Sequence, residues 1–166
     1  MIKRYLSHPV TGLLTRIVLA GILLVAGGAK FFEGGYAAQR AIKAYKVFPP
    51  EWAPFLGYAL PGLEIVLGLL LLVGLFIRVS SIITAVVMVG FIAGIISVWV
   101  RGYSIDCGCF GGGGEVSPEG KDLRYAKEIL RDLLFTGMAV RLAVWPHTFG
   151  AIENLGKVST DSAELL

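Results

Sequence analysis

Long apolar blocks with few charges inside them constrain this chain more than anything else it contains. Leu13 to Phe32 is broken only by Arg16 and Lys30 near its ends. Phe55 to Ile77 carries one charge, Glu64, and Val79 to Val100 carries none. A helix crosses the bilayer core with about 20 mostly apolar residues, so each block is predicted to span. Ala126 to Trp145 is weaker, because Lys127, Glu128, Arg131, Asp132 and Arg141 fall within it. It is read as a fourth span, since three helices leave the apolar run Leu133 to Val140 without a home. Only 16% of residues are charged, against about a quarter in soluble domains. The first block is long for a secretory signal and is read as a retained helix. The predicted fold is an all-α integral membrane protein. Its single four-helix bundle covers residues 1–150, and a polar tail at 151–166 is expected to fray.

Between the first two spans, Ala37 to Val47 repeats apolar residues at helical spacing, with Arg40, Lys43 and Lys46 off that face. This predicts a short amphipathic helix at the interface, stopped by Pro49-Pro50. Trp52 and Tyr58 lie where an aromatic belt forms. The second and third spans are expected to join almost directly around Arg78 as antiparallel neighbours. Small residues recur at packing spacing: Gly57, Pro61 and Gly68 with Glu64 on helix two, Gly90, Gly94 and Ser97 on helix three, Gly21 and Gly28 on helix one. Such positions let membrane helices approach closely. A net charge of +3, dispersed along the chain, excludes nucleic acid as a partner and leaves the lipid bilayer.

Cys107 and Cys109, the only two cysteines, flank Gly108 in a glycine-rich loop between helices three and four. Two cysteines one residue apart can close a small, strained ring, and strained, exposed disulfides are the labile, oxidising ones. A thiol in such a loop is expected to be reachable by a partner. The bland alternative is a structural clip. No metal site is expected: two thiolates are too few ligands, and His8 and His147 lie toward the opposite membrane face. Glu64 falls near mid-membrane, where an ionisable group marks a function or pairs with another helix. Lys30 and Arg131-Asp132 are the available partners. A cation near Cys107 or Cys109 favours the thiolate, and Arg131 is the leading candidate, with Lys30 next. Arg141 is expected to snorkel to the far interface. Counting basic residues puts the cysteine loop in the cytoplasm, whereas oxidising thiol chemistry puts it outside; the two expectations oppose each other.

In chain order, Arg16, Gly28-Ala29-Lys30-Phe31, Tyr45, Pro49, Leu60-Pro61-Gly62-Leu63-Glu64, Gly68, Arg78, Asp106-Cys107-Gly108-Cys109-Phe110-Gly111 and Arg131-Asp132 resemble the MauE/DoxX family of bacterial redox-associated membrane proteins. The Cys-Gly-Cys-Phe-Gly run after a membrane glutamate resembles the MauE branch. The resemblance implies a four-helix bundle in the bacterial inner membrane that supports disulfide formation or thiol balance in partner proteins. For MauE the client is methylamine dehydrogenase; other members accompany thioredoxin-like or rhodanese proteins. The expected function is thiol–disulfide exchange in which Cys107 and Cys109 cycle, with Glu64, Arg131 and Lys30 assisting and a membrane quinone accepting electrons. That acceptor is drawn from the architecture of other four-helix disulfide-forming membrane proteins. Two alternatives stand beside it: a non-catalytic scaffold or accessory subunit of a redox complex, and a small transporter or metal-handling protein.

Overall fold

The computed structural model describes residues 8–109, 112–146 and 148–152. Lys3, Arg4, Phe110, Gly111, His147 and Lys157, together with most of the 151–166 tail, lie outside the described residues. Helix α1 runs Pro9–Phe32 and the short α2 runs Tyr36–Tyr45. A 3₁₀ turn at Pro50–Trp52 leads into α3, Ala53–Val73, and α4 spans Ile77–Val100. Two-residue strands β1 (Ile105–Asp106) and β2 (Gly114–Glu115) pair antiparallel on either side of the cysteines. Helix α5 follows at Lys121–Val144.

Among the described residues, three helical stretches are long and apolar enough to cross a membrane: Pro9–Phe32, Pro50–Val73 and Ile77–Val100. The protein is therefore a multi-pass, all-α membrane protein. Their outward faces carry Leu14, Val25, Val66, Val86 and Val89, all exposed, as lipid contact requires. Helix α5 is not one of the three, because Lys121, Asp122, Arg124, Lys127 and Glu128 crowd its first turns. It starts five residues before the expected Ala126, since a polar first turn needs no lipid.

The helices pack as two pairs, α1 with α3 and α4 with α5. Between α1 and α3 the backbones come close: a Cβ on Gly27 would lie 2.8 Å from the Pro61 carbonyl, and one on Gly68 2.8 Å from Leu24. Gly21 faces open space, and Gly28 meets only Phe32 of its own helix. The expected glycine face of helix one is thus displaced. The buried stripe is Ala20, Leu23, Ala26, Gly27 and Lys30, at the spacing of one helix face, and Gly21 falls beside it. The central core joins Leu19 and Leu23 to Leu67, Leu71, Ile77, Met88 and Leu142.

The α3–α4 turn lies at Gly74–Phe76 rather than at Arg78. Gly74 adopts φ 76°, and its amide reaches the Leu70 and Leu71 carbonyls at 3.0 and 3.1 Å, the glycine helix stop. Arg78 sits in the first turn of α4. Residues 148–152 return to the bundle. Thr148 and Ala151 are buried, and the guanidinium of buried Arg16 donates to Thr148 Oγ1 at 3.1 Å and the Gly150 carbonyl at 3.4 Å. A buried guanidinium requires acceptors, and this returning segment supplies them. Helix α2 ends before the prolines too. Lys46 takes φ 50°, and Arg101 donates to the Tyr45 carbonyl at 2.6 Å and that of Lys46 at 3.3 Å.

Candidate functional site

The loop after α4 is held in place by its own polar groups. The Tyr125 hydroxyl accepts from the Ile105 amide at 2.9 Å and donates to the Tyr103 carbonyl at 3.0 Å. Asp106 Oδ1 accepts from the Gly108 amide at 2.8 Å, an Asx-type turn that places the two cysteines. Gly108 has φ 69°, and a Cβ there would lie 2.7 Å from the Ala41 Cβ. Glycine is needed for both the left-handed backbone and this contact with α2.

The consequence corrects the expectation of a reachable loop thiol. Cys107 is only 8% exposed and belongs to an apolar cluster with Ile95, Val98, Ile105 and Tyr125. Cys109 is half-buried. The amphipathic α2, expected to lie flat at the interface, presses its buried alanines on the loop and turns both sulfurs toward the helices.

Both cysteines are free thiols, and their surroundings separate them. Hydrogen bonding from the Cys109 thiol lowers the Cys107 pKa against the opposing effect of burial. The Cys109 amide, 3.4 Å from Cys107 Sγ, and Arg131 Nη2, 3.8 Å away, support the thiolate further. Cys109 is held well above the ordinary thiol range, because it is the donor to Cys107 and is itself desolvated. Cys107 is therefore the more acidic of the two thiols, although the Glu128 carboxylate nearby opposes its ionisation. The thiolate is the reactive form.

The structure brings the other predicted residues to the same place. Lys30 Nζ lies 2.7 Å from Glu64 Oε1 and 2.6 Å from Oε2. Arg131 holds Asp132 Oδ1 at 2.9 Å through both Nε and Nη2. Arg131 thus pairs with Oδ1 of its neighbour Asp132 and still leaves Nη2 within reach of Cys107. Glu64, Asp132 and Cys109 surround one small void of about 20 Å³. Lys30, Cys107 and Cys109 line a larger cavity of about 330 Å³ between α3 and α4. Arg141 is partly buried at the far end of α5, remote from the thiols.

Several contributors were invisible along the sequence. Asp106, Cys107 and Glu128 each offer an atom within 4.8 Å of the others, a cluster that the sequence had scattered between loop and helix. Tyr125 is likewise an ordinary aromatic until the fold places its hydroxyl. Glu128, one turn before Asp132 on α5, had a detectable signal: a helix face repeated by four that also carries Asp132.

A bundle of lipid-facing helices with a thiol pair enclosed among buried charges defines a class of multi-pass membrane protein. Residues 9–146 match the family described as "Methylamine utilisation protein MauE", and the chain belongs to the MauE family. No curated protein and no solved structure matches it significantly.

Proposed function

We propose that this chain is a thiol–disulfide redox protein of the bacterial inner membrane that oxidises the thiols of a partner protein. The carrying observation is the asymmetry of the pair: Cys107 Sγ receives donors from Cys109 and Arg131, while Cys109 is kept protonated. In thiol–disulfide exchange the sulfur with the lower pKa leaves faster. A client thiolate attacks Cys109 of the Cys107–Cys109 disulfide, forms a mixed disulfide with it and expels Cys107 as the thiolate. The client's second thiolate then attacks its own sulfur in that bond and releases Cys109. The client ends as a disulfide; the two protons its thiols gave up are taken by Cys109 and, as it reprotonates, by Cys107, so the protein ends as a dithiol carrying two electrons and two protons. Arg131 supports the leaving thiolate, and Asp132 positions Arg131. MauE-family membership is consistent with this accessory role in a pathway whose name refers to methylamine. Thioredoxin-like or rhodanese proteins remain alternative partners. Helix α5, 24 residues long and paired along α4, is proposed as the fourth span.

Trapping tests this direction of attack. In Cys107→Ala with Cys109 first charged as a mixed disulfide with glutathione, a client variant keeping one cysteine displaces glutathione and finds no resolving thiol, so a mixed disulfide with that client should accumulate and dissolve under reductant. Cys109→Ala should trap little. Equal trapping by both variants, or by neither, contradicts the assignment.

A second reading, metal handling, rests on the Asp106–Cys107–Glu128 cluster. Three donors leave one position of a tetrahedral site open. Zinc uptake by the reduced protein that Glu128→Gln abolishes would favour it, and absence of uptake removes it.

A further inference from the structure

We propose that the cavity beside the thiols is a binding site for the ring of a lipid-soluble quinone, the acceptor that reoxidises Cys107 and Cys109. This rests on the redox reading above and goes further, because it assigns a place and a ligand class. The cavity holds about 330 Å³, within the roughly 300–1,000 Å³ of small-molecule sites. Its walls are Pro61 of α3, Gly90 and Gly94 of α4, and Ala41 of α2, with Cys107 and Cys109 on one side. Gly90 and Ala93 are exposed on a helix of mean hydropathy 2.5, so the mouth opens toward lipid. A Cβ on Gly90 would meet nothing within 4 Å, and the missing side chain helps keep the mouth wide.

The occupant follows from chemistry. A dithiol formed here must lose two electrons and two protons. The Cys107 sulfur is buried from water and faces an apolar space entered from the bilayer, which suits an acceptor dissolved in lipid. Among lipid-soluble carriers, a quinone takes two electrons and two protons together. Lys30 supplies an ammonium in the wall, already neutralised by Glu64 and able to donate to a ring carbonyl. The Cys107 thiolate adds to the ring and forms a carbon–sulfur bond. Cys109 then attacks the Cys107 sulfur: the disulfide forms, the carbon–sulfur bond breaks, and the electron pair leaves with the ring. The proton that Cys107 gave up on becoming the thiolate and the one that Cys109 loses on attack complete the quinol.

The test uses the full chain in detergent with a short-chain ubiquinone analogue. Gly90→Leu puts a side chain at the mouth, starting from a position where a Cβ meets nothing within 4 Å. Gly137→Leu makes the same change at an open, exposed glycine of α5 that does not line this cavity. Reduced wild type should lose its alkylatable thiols as quinol absorbance appears. Gly90→Leu should slow this about tenfold or more, and Gly137→Leu should leave it unchanged. Binding should persist in the Cys107→Ser/Cys109→Ser variant, followed by quenching of protein fluorescence, and weaken there on adding Gly90→Leu. If Gly90→Leu is oxidised as fast as wild type, or the cysteine-free variant does not bind the analogue, the site is wrong, even where the thiols still exchange with soluble disulfides. If the analogue binds in a Gly90-dependent way but the thiols never cycle, the cavity stands as a quinone site and the redox reading fails.

Discussion

The Lys30–Glu64 pair is sealed, with side chains 5% and 3% exposed, whereas Arg131 remains 28% exposed beside an Asp132 at 2%. The ammonium of the first pair binds both oxygens of one carboxylate. The guanidinium of the second divides its donors between a carboxylate and a sulfur. A planar fork with several N–H groups holds both acceptors at fixed angles. The sealed pair therefore locks α1 to α3. The open one couples α5 to the chemistry of the loop.

The largest expected effect breaks the sealed pair. Glu64→Gln or Lys30→Met leaves one buried charge alone and should cost about 3–5 kcal/mol of stability, read as a lowered unfolding midpoint in detergent. The double variant Lys30→Met/Glu64→Leu should recover much of that loss. Single variants as stable as wild type would show that the pair carries no structural role. Tyr125→Phe comes next. It strands the Ile105 amide and should cost about 1–3 kcal/mol, with faster hydrogen exchange confined to the β1 end of the loop; unchanged exchange would mean that the hydroxyl does not hold the strand.

Two smaller effects sharpen the comparison on the open side. Cys107 has a lowered pKa, so its thiolate persists below the ordinary thiol range and is lost only as pH falls through that lowered value. Cys109→Ala removes the leading donor and should move the pH profile of Cys107 alkylation upward. Arg131→Gln should move it the same way by less, at most about one unit, which corresponds to about 1.4 kcal/mol. A larger shift for Arg131→Gln than for Cys109→Ala would reverse the ranking of the two donors.

What the sequence revealed followed from local chemistry. Three spans were legible because lipid demands continuous apolar surface, and α2 was legible from its spacing. A partner for Glu64 was expected from the cost of a charge at mid-membrane, with Lys30 and Arg131-Asp132 as candidates, and packing chose Lys30. Gly74 ends α3 earlier than the apolar run does, because a left-handed glycine outweighs hydropathy there. The return of Thr148 to Arg16 joins residues far apart in the chain, and no periodicity announces it. The cavity is absent from the sequence for the same reason: it is the space that two helix pairs fail to fill. The inward turn of the thiols depends on Gly108 and Gly113 meeting Ala41, a contact made by packing. The sequence showed two cysteines among glycines. It did not show that the glycines serve closeness rather than mobility.

The redox potential of the Cys107–Cys109 pair tests the central claim most directly. The purified protein is equilibrated at graded glutathione ratios, quenched with acid and alkylated to count free thiols. A thiolate stabilised by Cys109 and Arg131 favours the dithiol, so the pair should titrate reversibly at a potential well above the roughly −300 mV of structural disulfides. A pair that stays oxidised in strongly reducing glutathione would be a structural clip, and the account of a cycling thiol site would be wrong.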